Sequence, residues 1–295
     1  MNHVVKVTIG ICVKNSESTI KQAMESVLNQ DFPHELMEIL IVDGYSQDNT
    51  LKIVKEILKN KDVHVKIFRE REGLGRARQI VVENAHGEYI LWIDGDMILS
   101  KDFVKKQVEF MDNNPAVGIA KGKYGIVKYS ENKSIVAFLE DLEFILSTRR
   151  VGEVKDKVLA TSGCIYRTKA IRGVGGFDPS IKGVGEDIDA EGRVKAAGWK
   201  LYITSAIFQE IRRKSWRALW NEYVWHGRGA RHLFSKNKLA TNLYKAFPLT
   251  VIFTKIFQIP LAYKLTRRKA VLFIPLHYIF KRCAWFLGFI LGCRY

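Results

Sequence analysis

The apolar run EYILWIDGDMIL, residues 88–99, ends in two aspartates separated by a single glycine. Tyr89 to Ile93 has the β-branched and aromatic content of an interior strand, which places Asp94 and Asp96 where such a strand leaves its sheet. Side chains two apart in extended chain point the same way, so both carboxylates can face one point, with Gly95 letting the backbone bend close to it. Like charges gathered in an ordered site repel unless a cation sits between them, and a hard divalent ion, Mg2+ or Mn2+, is the natural candidate. Asp-Gly-Asp is also ordinary turn chemistry, so its neighbours must decide.

Those neighbours are strands alternating with helices. VKVTIGICV is followed by the helix-like SESTIKQAMESVLNQ, EILIVD by QDNTLKIVKEILKN, HVKIF by GRARQIVVENA, and EYILWID by KDFVKKQVEFM. This alternation predicts βαβ units, hence a parallel sheet covered by helices on both faces. In such sheets ligands bind beyond the C-terminal strand ends, where Asp43 closes the second strand and Asp94 and Asp96 the fourth. Residues 116–175 look mixed, with strand-like VGIAKGKYGIV, helical SIVAFLEDLEFILS and strand-like KVLATSGCIYR. A Gly-rich loop then leads into a helix opened by Glu186 and Asp187 and closed by Gly198, after which a strand resumes. No GxGxxG follows the first strand and no GxxxxGK[ST] occurs, which disfavours a dinucleotide enzyme and a P-loop NTPase.

The 295 residues suffice for one large domain plus an appendage. Cys12, Cys164, Cys283 and Cys293 form no Cys-x-x-Cys pair, so neither a zinc site nor a disulfide framework is suggested, which fits a reducing compartment. The N-terminal MNHVVKVTIGICVK reads as a first strand, and no secretion signal is expected. The formal charge of +16 is unevenly placed: residues 211–295 carry 17 Lys and Arg against the single acid Glu222, leaving 30 of each sign in residues 1–210. A boundary near 210 is expected, with a catalytic domain over 1–210 and a basic, apolar helical region over 211–295.

IVDGYSQDNT, GLGRARQIVVENAHGEYILWIDGDM, GGFD and GEDIDAEGRVKAAGW stand in the order and spacing of a known family. Over about residues 5–230 the sequence resembles a family-2 glycosyltransferase of the GT-A fold, a Rossmann-like, mostly parallel α/β sheet flanked by helices. The resemblance implies transfer of a sugar from a nucleotide-diphosphate donor. It implies that Asp43 bonds the base or ribose, and that Cys12 and Arg78 lie among the nucleotide contacts. Where the family often has a second acid after the second strand, this chain has Gly44. Asp96 would be the direct metal ligand, with Asp94 nearer the ribose, and the ion would neutralise the departing diphosphate. Asp187, paired with Glu186, would take the acceptor's proton in inverting transfer, whereas an acceptor that is already an ionised phosphate needs no base. Asp189 is a poorer candidate. Thr161, Ser162 and Gly163 match a loop near the donor sugar, and His226, Arg228 and Arg231 a basic segment over the diphosphate. The QxxRW of processive synthases is absent, which favours single or limited addition.

Beyond Arg231 the chain is both cationic and rich in Phe, Ile, Leu and Tyr, yet its longest uncharged runs, Ala270–Phe280 and Cys283–Cys293, are 11 residues each. Interfacial helices on an anionic membrane fit this pattern better than a clean span, with Lys and Arg reaching the headgroups. A shallow hairpin broken at Pro260 and Pro275, a nucleic-acid surface and an oligomer interface are the alternatives; the aliphatic runs argue against nucleic acid. The expectation is a metal-dependent, inverting transferase, peripheral or monotopic on the cytoplasmic membrane face, acting on a lipid-linked or membrane-associated acceptor. A nucleotidyltransferase is disfavoured because ICVKNSEST is not a Gly-rich basic loop, and a non-catalytic membrane scaffold remains as the non-enzyme alternative.

Overall fold

A computed structural model of the chain describes residues 4–59, 61–125, 134–155, 157–181, 183–236 and 255–292. Its contacts divide the chain into two compact units, the first made of the described residues of Met1–Gly125, Thr148–Lys182 and Glu186–Ile211. The second takes those of Ile126–Ser147, Gly183–Gly185 and Arg212–Tyr295.

In the first unit, β2 (Met37–Asp43) and β4 (Tyr89–Trp92) are buried at every position, and β1 (Val7–Val13) at every position but Cys12. Strands covered on both faces need continuous apolar runs, which these sequences supply. β3 (His64–Arg69), carrying His, Lys and Arg, is the exposed edge. The intervening α1 (Ile20–Leu28), α2 (Thr50–Leu58), α3 (Leu74–Asn84) and α4 (Phe103–Asn113) bury one stripe each, such as Ile20, Ala23, Met24 and Val27.

Among the described residues the strand order is β3-β2-β1-β4, then β8 (Cys164–Arg167), β6 (Val117–Tyr124), β9 (Lys200–Glu210) and β5 (Met97–Leu99), with β7 (Gly152–Glu153) against β9. Pairing is parallel through β3-β2-β1-β4. Beyond that the expected α/β sheet becomes mixed: β8 runs antiparallel to β4 and to β6, and β6 runs parallel to β9. β5 and β7 add to β9 antiparallel. Register decides where the acids emerge. Gly10 pairs with Trp92 and Val13 with Asp43, so Cys12, Asp43 and Asp94 leave the sheet at one edge.

The strand expected over KVLATSGCIYR is shorter than its apolar content suggests. Ala160 and Gly163 adopt φ values of 58° and 67°, which break extended geometry and leave only Cys164–Arg167 as strand. α6 (Thr168–Gly173) and α7 (Glu186–Ala196) complete this unit.

The second unit is helical in its described residues: α5 (Ile135–Thr148, through Ser147), α8 (Trp216–Lys236), α9 (Ile259–Thr266) and α10 (Ile274–Leu291). Phe138, Leu139, Leu142, Ala262, Val271 and Ile274 form a small core there. Pro260 and Pro275 open α9 and α10 instead of breaking them, since a first-turn N–H has no intrahelical partner to lose.

Arg167 fastens the mixed half of the sheet from within. Buried on β8, it donates to the carbonyls of Val117 at 3.1 Å, Met111 at 2.8 Å and Asn114 at 3.2 Å. Replacing Arg167 by Met strands those acceptors, and urea unfolding should show a loss of about 3 kcal/mol or more.

Candidate active site

Arg78 is where separate parts of the first unit meet. It sits on the buried face of α3, and its guanidinium pairs with Glu186, the first residue of α7, which is itself buried. A second guanidinium nitrogen lies 3.9 Å from Asp94 Oδ1. The Ser162 hydroxyl donates to Asp94 Oδ2, and the buried Lys121 Nζ of β6 donates to the Ser162 carbonyl at 2.5 Å. The guanidinium also lies 6.0 Å from the Trp92 ring and 5.9 Å from that of Phe177. A continuous chain of contacts thus joins Glu186, Arg78, Asp94 and Ser162.

Asp96 is half-buried, two residues past Asp94, and its carbonyl accepts from the Ile211 N–H at 2.8 Å. Gly95 is closely packed: a Cβ there would lie 3.0 Å from Val13 Cγ1 and 3.3 Å from Ser16, and those side chains would have to give way by a few tenths of an ångström. Asp187 is half-buried, and its Oδ1 accepts from the Ile188 N–H at 2.8 Å. Asp189 is committed elsewhere, to Arg193 at 2.8 Å, whose guanidinium also bonds the Val174 and Gly176 carbonyls.

Asp43 is wholly buried. It accepts from the Ser46 N–H at 3.2 Å and pairs with Arg69 at 3.4 Å. Arg69 and Arg71 lie 4.2 and 4.0 Å from the Tyr45 ring. The loop after β1 is tied to the loop after β2, the Asn15 N–H donating to Ser46 Oγ at 2.9 Å and the Gln47 N–H to Asn15 Oδ1 at 2.8 Å. Burial pushes the Cys12 thiol up to about 12, with Arg78 opposing and Asp94 adding to the shift. Cys12 therefore stays protonated and is no nucleophile.

Thr161, Ser162 and Gly163 form a turn, in which the Gly163 carbonyl accepts from the Gly122 N–H at 2.9 Å and Gln107 Nε2 at 3.0 Å. The left-handed φ of 67° suits glycine at this position. His226, Arg228 and Arg231 all lie on α8 of the second unit, with Arg231 5.5 Å from the Phe289 ring.

Two residues escaped the sequence reading. Glu191 lies one turn beyond Asp187 on the same helix, is buried, and accepts from the Leu159 N–H at 2.8 Å, tying α7 to the loop that carries Ser162. Lys121 supports the other side of that loop. The four-residue spacing from Asp187 was the only available sign of Glu191, and a helical Glu ordinarily reads as solvated.

The sequence model of glycosyl transferase family 2 matches residues 8–175. The chain belongs to that family. Poly-beta-1,6-N-acetyl-D-glucosamine synthase of Staphylococcus aureus is 23% identical over 249 residues, covering 83% of this chain and 60% of the relative. The Staphylococcus epidermidis synthase is 25% identical over 248 residues, covering 81% and 58%. This family member thus spans about three-fifths of the length of the curated relatives it matches. Among solved structures, S. aureus TarS 1-349 in complex with UDP-GlcNAc aligns with a TM-score of 0.58 at 18% identity, over 95% of this chain and 90% of that one. A mannosyltransferase from Pyrobaculum calidifontis in complex with GDP-Man and Mn2+ aligns at 0.62 and 14% identity, over 97% and 86%. These likenesses establish the GT-A α/β fold.

The donor chemistry at Asp94 and Asp96 fits a hard divalent ion: two half-buried carboxylates, with one Asp94 oxygen oriented by Ser162. A separate grouping, Glu140, Glu143 and His277, also lies close enough to hold a metal. Lys281 Nζ already stands 2.8 Å from Glu140 and 2.5 Å from Glu143, with Lys255 2.9 Å from Glu143, so cations of the chain itself neutralise that grouping.

Burial pushes Glu191 from 4.5 up to about 7, Asp187 adding to the effect and the Leu159 and Ala160 N–H groups opposing it. A carboxyl raised on folding favours the fold while protonated, and that stability is lost as pH rises through about 7. Glu191→Gln removes this titration and keeps an acceptor for Leu159. Thermal melts should therefore show the variant gaining on the parent protein between about pH 5 and 8, and a constant difference would refute the assignment.

Proposed function

We propose that the chain is a metal-dependent, inverting glycosyltransferase at the cytoplasmic face of the cell membrane. It moves a sugar from a nucleotide-diphosphate donor to a lipid-linked or otherwise membrane-associated acceptor. The observation that carries this reading is the chain of contacts Glu186, Arg78, Asp94, Ser162, which joins Asp94 after β4 to the Ser162 loop and the start of α7. The relatives whose names specify a polysaccharide synthase, and the neighbours in complex with UDP-GlcNAc or GDP-Man, support a nucleotide-sugar donor.

In this reading Asp96 and Asp94 hold Mg2+ or Mn2+, which when bound supplies positive charge for the departing diphosphate. Cys12, Asp43, Arg78, Ser162 and Gly163 line the nucleotide-sugar side. Asp187 Oδ1 is held by the Ile188 N–H, and its other oxygen takes the proton from the acceptor hydroxyl as the hydroxyl oxygen bonds to the anomeric carbon and the bond from that carbon to the nucleoside diphosphate breaks. Glu186 is committed to Arg78, so it positions the guanidinium and leaves proton transfer to Asp187. The basic excess beyond residue 211 and the apolar helix within Lys269–Leu291 support the membrane setting.

Asp96→Ala and Asp187→Asn should each lower turnover by roughly 100-fold or more while far-UV circular dichroism stays unchanged. The assay pairs a panel of UDP-, GDP- and dTDP-sugars with Mn2+ and a membrane extract. Full activity in EDTA would refute metal dependence. Undiminished turnover in Asp187→Asn would fit an acceptor that is already ionised.

A further inference from the structure

α10 divides lengthwise into two unlike faces. Ile274, His277, Tyr278, Lys281, Ala284 and Gly288 are buried, at helical spacing, inside the second unit. The opposite face, with the turn before it, is apolar and open to solvent: Leu272, Phe273, Leu276, Phe286, Leu287 and Ile290, of which Leu276 and Ile290 are 61% and 62% exposed. Cys283 is exposed at the middle of this face. An 18-residue helix is about 27 Å long, so by length alone α10 could cross a bilayer.

Its packing points the other way. α10 lies side by side with α8, in contact from Trp216 against His277 to Phe234 against Phe289. The backbones touch between these ends: a Cβ on Gly227 of α8 would overlap the Trp285 carbonyl, and one on Gly288 of α10 the Val224 carbonyl. α8 exposes Arg217, Asn221 and Arg231 alongside Trp216 and Trp225, and its Glu222 pairs with Arg213. A buried cluster of charges secures the same arrangement. Lys281 stands between Glu140 and Glu143 of α5, and the Tyr223 hydroxyl of α8 donates to Glu140 at 2.8 Å. Burial opposes ionisation of Glu140 and Glu143, but Lys281, together with His277 beside Glu140 and Lys255 beside Glu143, outweighs it and holds both below the usual carboxylate range. If α10 crossed a bilayer, it would carry α8's arginines and α5's glutamates into hydrocarbon, where charged groups are strongly disfavoured.

We propose that α10 lies in the plane of an anionic lipid surface, with the Leu272 to Ile290 stripe in the acyl boundary and the exposed Lys264, Arg267 and Lys269 at the headgroups. This rests on the membrane setting of the proposed function and specifies its geometry. The charge balance of residues 211–295, 17 basic against one acidic, selects an anionic bilayer as the occupant of the stripe.

Depth measurement on the full chain tests it. A fluorophore is placed at native Cys283 or, with Cys283 replaced by Ser, at Leu276→Cys or Ile290→Cys, with Cys12 and Cys293 replaced by serine throughout. Each protein is mixed with phosphatidylglycerol/phosphatidylcholine vesicles carrying nitroxide lipids at headgroup or mid-chain depth. The expected result is one shallow depth for all three labels, and at least a tenfold loss of vesicle binding in Leu276→Asp/Ile290→Asp or on pure phosphatidylcholine. A depth that changes steadily from residue 276 to 290 overturns the in-plane geometry and leaves the membrane setting standing. Failure to bind any vesicle overturns both, as does concentration-dependent self-association that buries the three labels without lipid.

Discussion

The candidate site depends on one buried cation held between two carboxylates. Arg78 comes from a helix inside the parallel half of the sheet, Asp94 from the end of its central strand, and Glu186 from a helix more than a hundred residues away in sequence. A buried guanidinium left without partners would be far costlier than the same group in water, so the fold that buries Arg78 must bring both acids to it. Its fixed fork of donors sets the distance between the acidic pair and the start of α7. Catalytic side chains at the ends of different elements need such a connector, because each element by itself is positioned only by its apolar face.

The surrounding contacts extend this constraint into the loop before β8. Ser162 orients Asp94 from outside, Lys121 holds the Ser162 carbonyl, and Glu191 holds the Leu159 N–H from the helix that bears Asp187. Ala160 and Gly163 give the loop the left-handed backbone that makes these contacts compatible. In this family member the loop is thus set by polar contacts from three directions, the arrangement required where small geometric errors weaken catalysis. The second unit follows the same logic: Lys281, a buried cation, lies between Glu140 and Glu143 with His277 beside them, and the cluster links α10 to α5.

Much of the sheet was legible because strands covered on both faces must be continuously apolar and their helices must carry an apolar stripe. β1, β2, β4 and the helices after them follow those patterns closely. β8 was overestimated, since KVLATSGCIYR has strand-like composition throughout and nothing in it announces left-handed backbone at Ala160. The antiparallel insertion of β8 between β4 and β6 was likewise hidden, because hydrophobic content records burial and not the direction of a neighbour. The close packing around Gly95 was not legible, because its neighbours, Val13 at the end of β1 and Ser16 in the loop after it, are distant in sequence.

By itself the sequence determined the chemistry available and its family. It supplied an acid at each of several strand ends, an acidic pair opening a helix, and a C-terminal region that is both basic and apolar. Those properties are local, carried by residue type, spacing and periodicity. Only the tertiary structure decided which of the acids are paired and which are left to act. Glu186 pairs with Arg78 and Asp189 with Arg193, while Asp187 keeps one oxygen outside such pairings. The same level decided that Glu191, an unremarkable helical glutamate in sequence, is buried with a raised pKa, and that Lys281 is an internal counter-ion. Ionisation and pairing depend on the dielectric and the charges around a side chain, and those are set by segments distant in the chain.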